Sequence, residues 1–168
     1  MNFSFRITSV DLRERIIYSD SGEFDCFPNL NTDIIILIQY LNIGFDSQDN
    51  RAKKIWGLNH YKSWISKKLM VPESQEGELY ISGDFNPGDS KRLNNYKNET
   101  YFDPESGWVC VGDNQIIGEC DNIEFLKNVI ATIKDGSLKA LWIHPKWENN
   151  DNNLMFLDKV GRSVFYNL

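Results

Sequence analysis

Two apolar runs flank the dipeptide Asp135-Gly136, and this segment constrains the fold more than any other part of the chain. Residues 128–134 and 137–144 are rich in the β-branched, aromatic and aliphatic side chains that suit strands. Asp-Gly favours a two-residue type I′ turn, because both central positions of that turn need a positive φ. The sequence therefore predicts a β-hairpin over residues 128–144, with Gly136 at positive φ.

Further strands are predicted along most of the chain. Period-two alternation or short β-branched runs indicate strands at 2–9, 14–19, 78–82, 99–103 and 108–111, with a last strand at 160–168. The run 33–41 is compatible with a buried strand or a buried helix, and its β-branching favours the strand. Residues 20–32, 83–98 and 149–153 have the composition of loops.

A helix is predicted over residues 50–69. Ile55, Leu58 and Tyr61 recur at spacings of three, and Ile65 and Leu69 continue the series at spacings of four. A shorter helical turn is predicted near Asp121–Glu124, which fits a capping box. These patterns predict a single α+β domain over residues 1–168, with a mostly antiparallel sheet and one or two helices packed on one face.

The chain is acidic, and the charge is unevenly placed. Its net charge is −6, yet residues 51–68 hold six basic residues and no acid, which leaves 12 basic residues against 24 acidic ones elsewhere. Such a surface repels nucleic acid and attracts basic partners. The alternative interpretation is that the acidity serves solubility alone.

No long apolar run and no export signal are present, so we expect no membrane span and a cytoplasmic location. The three cysteines, Cys26, Cys110 and Cys120, are odd in number, and in that compartment we expect all of them reduced.

No catalytic or metal-binding motif is visible, so we expect a protein that is not an enzyme and has no cofactor. A nucleophile formed by Cys110 or Cys120 with His60 or His144 is conceivable, but Cys110 alternates with apolar neighbours as a core residue does. The segment 84–90 lacks the terminal glutamate of a calcium loop, and neither common glycine-rich nucleotide loop occurs. Basic residues with interleaved aromatics at 51–68 suggest single-stranded nucleic acid, which the overall charge opposes.

Parts of the C-terminal half carry a family resemblance. The segments concerned are the Gly-Trp strand at 107–112, the Glu-Phe pair at 124–125, the Asp-Gly hairpin, and the ending Leu-Trp-Ile-His-Pro at 141–145. Together they resemble small immunity proteins of bacterial polymorphic toxin systems, including contact-dependent inhibition. The resemblance implies a cytoplasmic protein that binds one cognate toxin and does no chemistry itself. It implies no catalytic residue.

The leading interpretation is an immunity protein that neutralises a cognate toxin, with a basic nuclease as one candidate, by occluding the toxin's active site. Acidic side chains could occupy the phosphate sites of such a nuclease. The candidate contact residues are Asp84, Asp89, Tyr101, Asp103, Glu105 and Asp113. The alternative is a small enzyme or ligand-binding domain that uses a pocket in a curved sheet. A third interpretation is a regulatory or structural module of a larger assembly.

Overall fold

The computed structural model describes residues 1–9, 12, 14–93, 99–115 and 118–148, together with the backbones of two further strands at 154–157 and 163–166. The strands, in chain order, are β1 (Asn2–Ile7), β2 (Arg15–Tyr18), β3 (Glu23–Phe27), β4 (Ile34–Ile38), β5 (Leu41–Phe45), β6 (Ala52–Leu58), β7 (Ile65–Ser66), β8 (Gln75–Ser82), β9 (Ser90–Arg92), β10 (Thr100–Phe102), β11 (Val109–Gly112), β12 (Asp121–Leu126), β13 (Val129–Lys134), β14 (Ser137–Ile143), β15 (Lys146–Trp147), β16 (Leu154–Leu157) and β17 (Ser163–Tyr166). Within this described part, one 3₁₀ turn at Tyr61–Ser63 is the only helical segment. The same residues contain no helix with the length and apolarity to cross a bilayer.

Two mixed sheets build the fold. The larger sheet has the strand order β1-β8-β12-β13-β14-β11-β10-β7, and the smaller sheet has the order β15-β2-β3-β6-β5-β4-β9. Strands β16 and β17 form a separate antiparallel pair. The described pairings are antiparallel except β8–β12, β7–β10, β2–β15 and β4–β9, which are parallel. The predicted α+β fold with helices on one face is therefore wrong, because two sheets supply the layers.

One apolar core lies between the two sheets. Buried side chains of both sheets belong to it, and the rings of Phe3 on β1 and Phe45 on β5 lie 6.4 Å apart. The sheets also meet through the backbone, since the amide of Ile81 donates to the carbonyl of Asn50 at 3.0 Å. Burial of this apolar surface is the main stabilising contribution, at roughly 25 cal/mol per Å².

A second apolar cluster covers the other face of the larger sheet. Its buried members are Leu69, Tyr101, Cys110, Ile130, Ala140 and Trp142. Leu69 comes from the segment between β7 and β8, so that segment packs on this face of the sheet. The central strands of the larger sheet are therefore buried on both faces.

The predicted hairpin is confirmed. Asp135 and Gly136 have φ values of +50° and +69°, as a type I′ turn requires, and Lys134 pairs with Ser137 on either side of them. The strands β13 and β14 that flank the turn lie in the middle of the larger sheet.

The predicted helix over 50–69 is wrong, because the segment holds β6, the 3₁₀ turn and β7, and Leu58 and Ile65 of the predicted apolar series are 50% and 43% exposed. The register of β5 against β6 shifts between Gly44 and Phe45, so that Ala52 and Ile55 both face the core at a spacing of three. Gly57, at φ +139°, has a backbone conformation that no α-helix contains.

Several other segments differ from their predicted secondary structure in smaller ways. The run 33–41 holds β4 and a turn before β5, and the loop-like segments 20–32 and 83–98 contain the short strands β3 and β9. The predicted helical turn at Asp121–Glu124 is part of β12. The predicted last strand corresponds to β17, whereas the predicted loop at 149–153 lies outside the described residues.

Candidate binding surfaces

The residues predicted to contact a partner lie in three places. They are the β8–β9 loop with Asp84 and Asp89, the region of β10 and the following turn with Tyr101, Asp103 and Glu105, and the end of β11 with Asp113. Glu105 precedes β11 and Asp113 follows it, so roughly 13 Å of strand separates them. The six residues therefore come from three separate places in the chain and not from one element.

Asp103 and Tyr101 are buried within the fold. Asp103 is 3% exposed, and its carboxylate accepts hydrogen bonds from the amides of Leu69 at 3.0 Å and Glu105 at 2.9 Å. Burial alone would raise the pKa of Asp103, but these hydrogen bonds hold that pKa below its ordinary value. The hydroxyl of Tyr101 donates to Glu99, and this bond together with burial raises the pKa of Tyr101 to about 12. Asp103 therefore stabilises the turn after β10, and Tyr101 packs in the second apolar cluster of the larger sheet.

The β8–β9 loop presents carboxylates to solvent. Asp84 is exposed, and Asp89 is partly exposed with one carboxylate oxygen accepting from the amide of Asn86 at 2.8 Å. Lys91 lies close by: its ammonium donates to the backbone carbonyl of Asp84 at 3.0 Å and lies 4.4 Å from the ring centre of Phe85. Lys91 thus bonds to the backbone of Asp84 and not to its carboxylate.

The hairpin turn places a third carboxylate near the first residues of β1, where this loop begins. The carbonyl of Gly136 accepts a hydrogen bond from the amide of Phe3 at 2.7 Å, which docks the turn on β1. At the same end of β1, a Cβ built on Gly83 would lie 3.4 Å from the Cα of Met1. Asp135, which is exposed, and the start of the β8–β9 loop therefore both lie near the first residues of β1. We call Asp84, Asp89 and Asp135 the acidic end.

Sequence reasoning missed Asp135 as a surface acid of this group. The Asp-Gly signal locates the turn correctly, but it does not say which element the turn packs against. That information comes from the contact with β1 and is not local to the hairpin.

The buried thiols are held in their protonated form. Burial raises the pKa of Cys110, which is fully buried in the larger sheet, and raises that of Cys26 to about 11. Cys120 is partly exposed, with its sulfur 3.7 Å from the carbonyl oxygen of Gly118. All three cysteines are free. Neither buried cysteine has the thiolate character that a nucleophile needs.

His144 comes two residues after Trp142, the residue that pairs with Cys110 across β11 and β14. The Nε2 atom of His144 is 3.1 Å from the carbonyl oxygen of Ser106, and its ring centre is 5.3 Å from that of Trp108. His60 is exposed and its ring lies against Gly22. The contacts described for the two histidines are therefore with backbone atoms and an aromatic ring, and they do not include a thiol.

The strongest charge cluster stabilises the fold. Glu78 on β8 bonds to Arg6 and Arg51, and it accepts a hydrogen bond from the hydroxyl of Tyr80 at 2.6 Å. The Tyr80 hydroxyl, then Arg6 and Arg51, lower the pKa of Glu78 to about 2 although burial opposes the shift. Arg51 precedes β6 of the smaller sheet, so this cluster joins the two sheets.

The basic residues of 51–68 do not form a stripe. Arg51 pairs with Glu78, whereas Lys53 reaches Asp49 at 2.8 Å. Trp64 packs against Tyr18 in the core, with ring centres 4.9 Å apart. The nucleic-acid interpretation needed basic and aromatic side chains on one helix face, and that face does not exist.

A pocket of about 190 Å³ opens on the outer face of the smaller sheet. Its lining residues are Asp25, Cys26, Phe27, Asn29, Lys54 and Trp56. The Trp56 ring lies against Gly44, where a Cβ would be 2.8 Å from Cζ3 of the indole. Lys54 donates to the Asn29 side chain at 2.8 Å and lies 4.7 Å from the Trp56 ring centre. Sequence reasoning missed this pocket because it assigned Lys54 and Trp56 to a helix.

No metal centre is apparent in the described ranges, where no three His, Cys, Asp or Glu side chains come together to hold an ion. Comparison with models of known protein families finds no match to this chain. Comparison with curated proteins likewise finds no match. The function must therefore be argued from the chemistry of the surfaces described above.

Proposed function

We propose that this chain is a non-catalytic binding protein of the bacterial cytoplasm that neutralises a cognate toxin by covering the toxin's active site. This is the role of the polymorphic-toxin immunity proteins that its C-terminal half resembles. The toxin in this proposal carries a basic active-site surface, as a nuclease does, and the immunity protein meets it with carboxylates.

The acidic end is the observation that carries the proposal. Its three carboxylates come from two separate elements, the β8–β9 loop and the β13–β14 turn. Backbone hydrogen bonds anchor both elements, from Phe3 to Gly136 in the turn and from Ile35 to Asp89 in the loop, so the carboxylates are positioned before the partner arrives. Pre-positioned charge favours fast encounter and excludes partners of the wrong sign.

The state of the other polar groups also supports binding over catalysis. The thiols of Cys26 and Cys110 are protonated and buried, and Asp103 and Glu78 are occupied by hydrogen bonds and ion pairs. Groups engaged in this way stabilise the sandwich and are not poised for proton transfer.

Co-expression tests the proposal. The toxin encoded next to the gene for this chain, produced alone, should stop growth of a bacterial host, and the chain should restore growth and form a stable complex with the toxin. His60→Ala and His144→Gln should protect as well as the wild type does. If the toxin remains lethal, or if protection occurs without a complex, the proposal is wrong.

A pair of triple variants locates the contact. The acidic-end variant carries Asp84→Asn, Asp89→Asn and Asp135→Asn, and the last change preserves the turn because Asn-Gly also suits type I′. The control variant carries Glu73→Gln, Glu76→Gln and Glu119→Gln, which are exposed and remove the same charge elsewhere. Protection should fall for the acidic-end variant and persist for the control.

A further inference from the structure

The outer face of the smaller sheet carries apolar side chains that take no part in the core. Ile17, Phe27 and Trp56 come from the adjacent strands β2, β3 and β6, and none of them belongs to the cluster between the sheets. Phe27 is 45% exposed, and it lines the pocket together with Trp56. Sheets that leave such a surface uncovered commonly bind another element there.

The C-terminal segment is apolar in sequence, and we expect it to pack against another surface of the protein. By sequence, residues 154–157 read Leu-Met-Phe-Leu and residues 163–166 read Ser-Val-Phe-Tyr. Their backbones pair as an isolated hairpin in the separate two-stranded sheet. A hairpin of two strands is at best marginally stable in water unless it packs on other structure.

The chain that leads to this hairpin leaves from the edge of the smaller sheet, within reach of the outer face. The amide of Glu148 donates to the carbonyl of Tyr18 at 2.9 Å, so the chain is fixed beside β2 at the edge of the smaller sheet. From Glu148 to Leu154 there are six Cα steps, which reach roughly 20 Å when extended. The distance from β15 to β6 is three strand spacings, or about 14 Å.

We propose that the C-terminal hairpin, β16–β17, docks on the outer face of the smaller sheet and covers the pocket at Phe27 and Trp56. The reach of the connecting segment, the apolar sequence of the hairpin and the position of the uncovered side chains support the same placement. This docking is independent of the toxin-binding proposal, which concerns the β8–β9 loop and the β13–β14 turn.

Hydrogen exchange of the full chain tests the docking. Phe27→Asp places a charge under the hairpin and should speed exchange of the amides in β16 and β17 about tenfold or more, because their protection depends on packing. Ile7→Asp is the matched control: Ile7 is 49% exposed and also ends a strand, but it lies on the larger sheet. Hairpin exchange that is unchanged by Phe27→Asp would overturn the proposal, as would an equal increase in Ile7→Asp.

Chemical cross-linking gives a second test that does not depend on a destabilising change. A Cys120→Ser chain keeps only buried native thiols, and Asn29→Cys with Ser163→Cys then places one reactive thiol on the pocket rim and one on the hairpin, with the apolar residues of the hairpin unchanged. A short bismaleimide should link them within one molecule. Links that form only between molecules would assign the face to a second copy of the chain, and an absence of links would leave it to a partner protein; either result overturns the docking.

Discussion

The side chain of Asn2 occupies the space that a Cβ atom on Gly136 would need. A Cβ built on Gly136 would lie 1.7 Å from Oδ1 of Asn2, while the neighbouring amide of Phe3 donates to the Gly136 carbonyl at 2.7 Å. Strand β1 is an edge of the larger sheet and β14 lies in its interior. The hairpin turn therefore ties an edge strand to the centre of the same sheet.

Gly136→Val should destabilise the protein for two reasons, a positive φ that a β-branched residue resists and the contact with Asn2. We expect a loss on the order of 1–3 kcal/mol in the free energy of unfolding, measured by chemical denaturation. Gly88→Val separates the two causes, because Gly88 has φ +94° with nothing within 4 Å of its Cβ position. Gly88→Val should therefore cost less, and Asn2→Gly should recover part of the loss in Gly136→Val but not in Gly88→Val. Equal losses at the two glycines would mean that the turn does not dock on β1.

The hairpin could be predicted from the sequence because all of its determinants are local. Two β-rich runs and a dipeptide that tolerates positive φ define it without reference to the rest of the chain. The helix prediction at 50–69 failed because the apolar series that suggested it runs across separate elements: β6, the 3₁₀ turn, β7 and the segment after β7. The bounds of β6 and β7 depend on pairing with β5 and β10, which the local spacing of apolar residues does not reveal.

The candidate site was less predictable than the fold. An acid at a strand end looks the same in sequence whether it faces solvent, as Asp84 does, or accepts backbone amides, as Asp103 does. The grouping of Asp135 with the β8–β9 loop depends on the docking of the turn on β1. Such proximity between distant segments is not encoded in any local pattern.

The Glu78 cluster should make the free energy of unfolding depend on pH in the acidic range. The pKa of Glu78 is lowered from 4.5 to about 2 in the folded protein, so its contribution is fully present above about pH 4.5 and is lost as the pH falls towards 2. Urea unfolding across that range should show a steeper loss of stability for the wild type than for Glu78→Gln. Tyr80→Phe, which removes one hydrogen bond to the carboxylate, should give an intermediate slope. The same pH dependence in all three proteins would contradict the role of this cluster.

Thr132 links two strands through its hydroxyl on the buried outer face of the larger sheet. The indole N–H of Trp142 donates to it at 3.0 Å, and it donates to the Asn122 side chain at 2.8 Å. Thr132→Val keeps the shape but leaves the N–H of Trp142 without its partner, which should cost about 1–3 kcal/mol of unfolding free energy. Thr132→Ser retains the hydroxyl and is the control. If the valine variant is as stable as the serine variant, the hydrogen bonds contribute nothing measurable.

Thiol titration should distinguish the three cysteines. Under native conditions a thiol reagent should modify Cys120 first, because Cys26 and Cys110 are buried and their pKa values are raised. In denaturant without reductant all three should react. A count of one in denaturant would show that two cysteines had formed a disulfide, and fast modification of Cys110 would contradict its burial.

Electrostatic attraction should govern the rate of toxin binding if the proposed function is correct. The charge outside residues 51–68 is near −12, from 12 basic and 24 acidic residues. The acidic end would act over long range on a basic partner, with a Debye length of roughly 10 Å at 0.1 M salt. Stopped-flow measurements should therefore show association slowing as salt rises, while dissociation changes much less.

The acidic-end variant should reproduce that slowing at low salt, and the control variant with the same net charge should slow association less. The difference arises because charges near the contact surface steer encounter more strongly than equal charges placed elsewhere. Replacement of Glu105 or Asp113 alone should change the rate little, since each removes only one charge. Asp103 is left out of these variants because its carboxylate is buried and bonded to backbone amides. An association rate that stays flat across the salt series would rule out steering, and an apolar interface would then be the better account of recognition.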